Sequence, residues 1–207
     1  MMKLYDYIRS TAAYRVRIAL NLKGLDYQSI PVSLLEDEQN DDSYKSVNAS
    51  GLVPTLVIDH HVLAQSLAII EYLDDAFPES PVLPSSPLEK ALCRSIALDI
   101  ACDIHPLNNL RVLKYLTNDL AHSESEKMNW YFHWLTKGFD ALEGKLSTVR
   151  TPFCCGEQPT LADICLVPQL FNARRFNFDL SPYPTLVRIE ANCLSLAAFS
   201  NASPSNG

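Results

Sequence analysis

The chain has 207 residues, 47% of them apolar and 20% charged, with a formal charge of -7 and a pI near 5.2. That length holds one large domain or two small ones, and the composition is that of an ordinary globular protein, which excludes a disordered chain. The acidic balance argues against nucleic acid as a partner, no apolar run reaches the ~18 residues that span a bilayer, and the opening residues lack a secretory apolar segment, so the expected setting is cytoplasmic.

In chain order, Lys3 to Tyr7 reads as a strand and Thr11 to Lys23 as a helix closed by Gly24 as its C′ residue. Tyr27 to Leu34 reads as a second strand, and the acidic stretch Glu36 to Ser46 as a loop with a short helix. Thr55 to Ile58 and Val62 to Ala64 predict a hairpin turning at Asp59-His60, after which Ser66 is expected to cap a helix over Leu67 to Phe77. The predicted order is β-α-β-α-β-β-α, an α/β domain over residues 1–79.

Pro78, Pro81, Pro84 and Pro87, with Ser80, Ser85 and Ser86 among them, predict a linker over 80–87. From 88 to 207 only helical periodicity follows, at Leu88 to Leu120, Glu124 to Leu146, Leu161 to Phe176 and Leu186 to Phe199. This predicts an all-helical second domain. Thr160-Leu161-Ala162-Asp163 has the spacing of a capping box, and Ser200 to Gly207 is expected to fray. The six cysteines make neither a C-x-x-C pair nor a zinc spacing, so thiols are expected and no metal site.

Three places carry chemistry in the first domain. At Arg9-Ser10-Thr11 a strand runs into a helix, where the ordinary reading is an N-cap and the functional one a site for an anion on free N–H groups. Val53-Pro54 precedes a strand, either as a plain loop proline or as a cis peptide that presents the Val53 backbone to an extended peptide. Gln65-Ser66, at another helix N-terminus, offers an amide, a hydroxyl and N–H groups to a carboxylate. In the second domain His105 and Asn109, four apart, are expected to share a helix face, and Arg174-Arg175 ends a helix, where two cations complement its dipole.

With these segments the chain resembles a cytosolic glutathione transferase. Arg9-Ser10-Thr11-Ala12-Ala13-Tyr14-Arg15-Val16-Arg17 is similar to the Ser-Ser-Cys-x-Trp-Arg-Val-Arg motif of the zeta class, whose members are mostly maleylacetoacetate isomerases; residues 65–73, 160–169 and 179–184 agree with that class. The resemblance implies a thioredoxin-like first domain with a mixed four-stranded sheet, an all-helical second domain, glutathione as cofactor and a homodimer. It assigns catalysis to Ser10, Thr11 and Arg9, glutathione binding to Ser10, Val53, Pro54, Gln65, Ser66, His105 and Asn109, and a dicarboxylate substrate to Arg9, His105 and Arg175. Ala12 replaces the motif's cysteine, Tyr14 stands where tryptophan is frequent, and His105-Pro106-Leu107-Asn108-Asn109 is similar to the His-Pro-x-Asn-Asn of maleylpyruvate isomerases. The implied activity is glutathione-dependent cis-trans isomerisation of maleylacetoacetate. Maleylpyruvate isomerase, a general glutathione transferase and a non-enzymatic interaction module of the same fold are the alternatives.

Overall fold

Alternating exposure along Met2–Asp6, with Leu4 and Asp6 turned inward, makes this segment strand β1 in the computed structural model, which describes residues 1–204. The chain divides into two units, Met1–Val82 with Leu194–Gly207, and Leu83–Cys193. In the first, β1 is followed by α1 (Thr11–Leu22), β2 (Tyr27–Pro31), a 3-10 turn at Glu38–Asn40, α2 (Asp42–Lys45), β3 (Thr55–Ile58), β4 (His61–Ala64) and α3 (Ser66–Ala76). The sheet order is β2-β1-β3-β4, with β1 parallel to β2 and antiparallel to β3, and β3 antiparallel to β4. This is the mixed four-stranded sheet and element order that the sequence predicts. Gly24, at φ +63°, ends α1 as its C′ residue: its N–H donates to the Asn21 carbonyl and the Leu25 N–H to the Leu20 carbonyl. Leu4, Val16, Leu20, Leu56, Ile70 and Leu73 form the core between sheet and helices and are fully buried, each stabilising by about 1.5–3 kcal/mol.

The second unit contains α4 (Pro87–Leu98), a π-helical stretch Asp99–Ile104, a 3-10 turn Pro106–Asn108, α5 (Leu110–Asn118), α6 (Glu124–Leu146), α7 (Leu161–Arg175) and α8 (Pro184–Leu194). The single helix expected over Leu88 to Leu120 is therefore broken. Pro106 has no N–H to continue the ladder, and Asn109 adopts the extended backbone of an N-cap. The helix expected over Leu186 to Phe199 also splits, because extended Leu196 separates α8 from α9 (Ala197–Ser200). Apart from an isolated bridge between Phe153 and Gly156, no strand occurs in this unit among the described residues.

Helix α7, buried throughout 161–170, starts on the expected capping box. Asp163 accepts from the Thr160 N–H (2.8 Å) and hydroxyl (2.9 Å) and from the Cys154 N–H (2.8 Å). Burial raises its carboxyl pKa against those hydrogen bonds. All six cysteines are outside disulfides. The hydrogen bond from the Cys155 thiol holds Cys93 down to about 7 despite its burial. Among the described residues no helix is long and apolar enough to cross a membrane, and no cluster of His, Cys, Asp or Glu could hold a metal ion.

The chain's end corrects two expectations. Residues from Leu194 onward group with the first unit instead of the helical one, and Ser200 to Pro204 are anchored instead of frayed, while 205–207 lie outside the described residues. The reason lies in polar side chains of α1. Tyr14 donates to the Phe199 carbonyl (3.2 Å), Arg17 Nε to the Ala202 carbonyl (3.0 Å) and Asn21 to the Ala198 carbonyl (3.0 Å). Arg17 also gives Nη1 to both Asp6 oxygens (2.7 and 2.8 Å) and Nη2 to the Ile8 carbonyl (2.9 Å). Both ions are 5% exposed, so removing one strands the other's charge. Arg17→Met is expected to lower the unfolding free energy by about 3–5 kcal/mol in urea denaturation, and Arg17→Met with Asp6→Leu to cost less than Arg17→Met alone.

Candidate functional site

The strand register brings three of the sequence-predicted segments to one end of the sheet. Tyr5 pairs with Thr55 and Thr55 with Ala64, so at that end β1 leaves toward Arg9-Ser10, β3 is entered from Val53-Pro54 and β4 leaves into Gln65-Ser66. α1 and α3 both begin there. Neither has an acidic residue in its first turn, so no carboxylate of that turn offsets the positive end of the helix, about half a unit charge.

Ser10 is the N-cap of α1, its Oγ accepting from the Ala13 N–H at 3.2 Å. The ordinary reading of Ser10 is thus realised, and it leaves the functional one intact: the oxygen caps the helix while the hydroxyl hydrogen can donate to an anion above it. The turn before it is fixed by the Ser10 N–H on the Tyr7 carbonyl (2.8 Å) and by Arg17 on Ile8. Thr11 opens the helix and is buried, whereas Arg9 is half-buried in the turn.

The Val53–Pro54 peptide is cis. The loop leading to it is held by two side chains that the sequence reading passes over. Tyr44 Oη donates to the Leu52 carbonyl (2.6 Å) and pairs with Thr55 Oγ1 (2.9 Å); Asn48 Nδ2 donates to the same two oxygens, each at 2.9 Å. Burial raises the Tyr44 pKa, keeping its hydroxyl a donor. Gly51 completes the loop at φ +60°, where a Cβ would lie 2.9 Å from the Gln39 carbonyl oxygen.

The expected cap of α3 is corrected. Gln65, at φ 70° and exposed, is the N-cap, and Ser66 is the buried first residue of the helix, its Oγ accepting from Arg15 Nη1 at 3.4 Å. Arg15, 2% exposed, supports Ser66 from behind, a role that the sequence reading does not assign to it. The signal for it in the sequence is a pair of cations, Arg15 and Arg17, inside the otherwise apolar run Ala12 to Leu20.

In the second unit His105 and Asn109 do not share a helix face. His105 lies between the π-helical stretch and the 3-10 turn, while Asn109 caps α5, its Oδ1 accepting from the Arg111 N–H at 3.1 Å. Arg174 and Arg175 have different tasks. Arg174 is paired with Glu190, and Arg175, the last residue of α7, is exposed with Nη1 donating to Asn172 Oδ1 at 3.4 Å.

Residues 9–76 match the family model of the glutathione S-transferase N-terminal domain, and residues 135–191 that of its C-terminal domain. A Vibrio cholerae protein named "Probable maleylacetoacetate isomerase" is 49% identical over 98% of this chain and 95% of its own. The chain belongs to the glutathione S-transferase family. A holo structure of maleylpyruvate isomerase, described as a bacterial glutathione S-transferase of the zeta class, is 42% identical with a TM-score of 0.96, covering 99% of this chain and 98% of that one. The maleylacetoacetate isomerase of Anaeromyxobacter dehalogenans, solved with dicarboxyethyl glutathione and citrate in its active site, is 38% identical with a TM-score of 0.88, covering 100% of this chain and 96% of that one. Glutathione is the cofactor of this fold, and the junction at Ser10 lies within the N-terminal match.

Asn48 and Tyr44 make the loop before Val53 a testable support. Asn48→Ala removes both amide bonds, and is expected to lower the unfolding free energy by about 1–3 kcal/mol in denaturant titration.

Proposed function

We propose that the protein is a glutathione-dependent cis-trans isomerase of a maleyl-type diacid, with 4-maleylacetoacetate, an intermediate of tyrosine and phenylalanine breakdown, as its substrate. The observation that carries the mechanism is where the thiols are. All six cysteines lie between positions 93 and 193, so the unit that gathers Ser10, Val53 and Gln65-Ser66 has none, and Ala12 occupies the place of the motif's cysteine. The nucleophilic sulfur is therefore that of glutathione.

Glutathione is held with its γ-glutamyl carboxylate on the α3 N-terminus at Gln65-Ser66 and its cysteinyl backbone along Val53-Pro54. Its thiol lies at the α1 N-terminus, where Ser10, supported by Thr11 and Arg9, donates to the sulfur and lowers its pKa. The thiolate adds to the conjugated cis double bond, and the electron pair moves onto the substrate carbonyl as an enolate. The former double bond, now single, rotates. Collapse of the enolate expels the thiolate and leaves the trans product, so glutathione is returned. His105 and Asn109 are assigned to glutathione from the helical side, and Arg9, His105 and Arg175 to the two carboxylates and the enolate; guanidinium suits such oxygens because its donors form a planar fork. A relative binding dicarboxyethyl glutathione, a thioether bearing two carboxylates, supports this assignment.

Maleylpyruvate isomerase is the second reading, supported by His105-Pro106 and by the likeness to the zeta-class maleylpyruvate isomerase. Turnover of the two maleyl substrates and of a neutral aromatic electrophile, each with and without glutathione, separates these readings from general conjugation. Failure to bind immobilised glutathione would instead favour an interaction module.

Ser10→Ala is expected to lower kcat/KM by about a hundredfold to a thousandfold and to raise the pKa of the bound thiol, read from its ultraviolet thiolate absorbance. Unchanged isomerase activity would reject Ser10 as the activating group.

The thiol content fits a reducing, cytoplasmic setting. A homodimer is also proposed, supported by Leu88 (69% exposed) and Leu92 (58% exposed), four residues apart on α4. Replacing both with glutamate is expected to yield monomers in light scattering.

A further inference from the structure

The helical unit holds a polar path that joins the His105 turn to the Arg175 end of α7 by way of Trp130 and Tyr131, neighbours on α6. Trp130 Nε1 donates to the Leu107 carbonyl (2.8 Å), and Asn108 Nδ2 donates to the carbonyl of Tyr131 (3.2 Å), so α6 grips the turn between His105 and Asn109. The Tyr131 ring then points to α7. Its Oη accepts from Asn172 Nδ2 (3.0 Å) and donates to the Asn172 carbonyl (3.4 Å), which leaves Asn172 Oδ1 as the acceptor for Arg175 Nη1 (3.4 Å). Tyr131 is fully buried, and its ring lies 4.5 Å from that of Phe176, beside Arg175.

We propose that Tyr131 is the positioning residue of the substrate side: its backbone holds the turn bearing His105 and Asn109, and its hydroxyl, through Asn172, holds the guanidinium of Arg175. The inference rests on the reading of Arg175 as a carboxylate-binding residue. Arg175 is exposed at a helix end, and an exposed arginine carries side-chain conformational freedom that must be lost when it binds. Asn172 reduces that loss by orienting the fork in advance, and Asn172 can present Oδ1 to Arg175 only because Tyr131 takes its amide NH2. Burial pushes the Tyr131 hydroxyl pKa up, with Arg175 opposing, so the hydroxyl stays protonated and keeps its donor role throughout the working pH range.

The experiment is steady-state kinetics of Tyr131→Phe, Arg175→Ala and the double variant with a maleyl diacid, with a neutral aromatic electrophile and with varied glutathione. Tyr131→Phe keeps the ring and the backbone carbonyl. It is expected to raise KM for the diacid about fivefold to tenfold, because both bonds from the hydroxyl to Asn172 are lost and Asn172 no longer orients the guanidinium, with kcat and the glutathione KM within about twofold. The neutral electrophile, lacking carboxylates, is expected to lose less than the diacid. The double variant is expected to be no worse than Arg175→Ala alone, because both changes act through one guanidinium. An unmoved diacid KM in Tyr131→Phe, or strictly additive effects in the double variant, would overturn the role of Tyr131 while leaving that of Arg175 standing. An unmoved diacid KM in Arg175→Ala overturns the reading of Arg175 and the positioning role with it. Should Tyr131→Phe fail to fold, Asn172→Ala cuts the same path from the other end, and the same pattern of KM against kcat decides.

Discussion

The Arg17 guanidinium is the interaction on which the first unit depends. A buried cation is tolerated only when its donors are met, and here Nε, Nη1 and Nη2 reach the Ala202 carbonyl, the Asp6 carboxylate and the Ile8 carbonyl. Those partners belong to the end of the chain, the last residue of β1 and the turn that delivers Ser10. One side chain thus fixes the strand, the turn and the tail against a single helix. Tyr14 and Asn21 extend the same logic. They supply two of the acceptor carbonyls that a helix leaves open at its C-terminus, while the Asn201 and Ser203 N–H groups supply Ala197 and Ser200, so each carbonyl of α9 has a donor.

For the proposed mechanism this anchoring matters, because that mechanism needs the N-terminus of α1 to hold charge without moving. Partial positive charge at a helix end stabilises an anion only over the first turn, and a sulfur displaced by a few ångströms would escape it. The Ser10 turn is fixed from α1 by Arg17, the Val53 loop by Tyr44 and Asn48, and the first turn of α3 by Arg15 at Ser66. Each of the three segments at this end of the sheet therefore has a buried side chain behind it. The absence of acidic residues from both first turns completes the arrangement, since a local carboxylate would compete with the incoming one.

What the sequence makes legible follows the range of the forces involved. The strand and helix alternation, Gly24 at φ +63°, the Asp59 hairpin at φ 54° and the capping box at Thr160 are set by neighbours within a few residues, and all were predictable. Hydroxyl residues favour the cap position, which points to Ser66, but the positive φ at the entry to α3 falls on Gln65. Asn48, Tyr44 and Arg17 act over contacts whose partners sit far along the chain or in backbone carbonyls, and no spacing rule marks them. The tail looked frayed from its composition because its stabilising groups reside in α1, some 185 residues earlier.

The broken helix of the second unit illustrates the same division. Apolar periodicity from Leu88 to Leu120 carries straight through the break, so pattern alone reads one helix and puts His105 and Asn109 on one face. The structure departs from that pattern because α6 is shaped to receive an irregular segment: a Cβ on Gly138 would meet Ile104 side-chain carbons at 2.3 Å, so the glycine admits the π-helical stretch. Trp130, on the same helix, then takes the Leu107 carbonyl that the interrupted ladder frees, and the Tyr131 carbonyl accepts from the side-chain amide of Asn108. A π-helical stretch and a 3-10 turn in succession would otherwise leave these polar groups unsatisfied, at a cost of about 1–3 kcal/mol each. α6 removes that cost, and by doing so it lets His105 and Asn109 leave the helical register that would otherwise have fixed where they point.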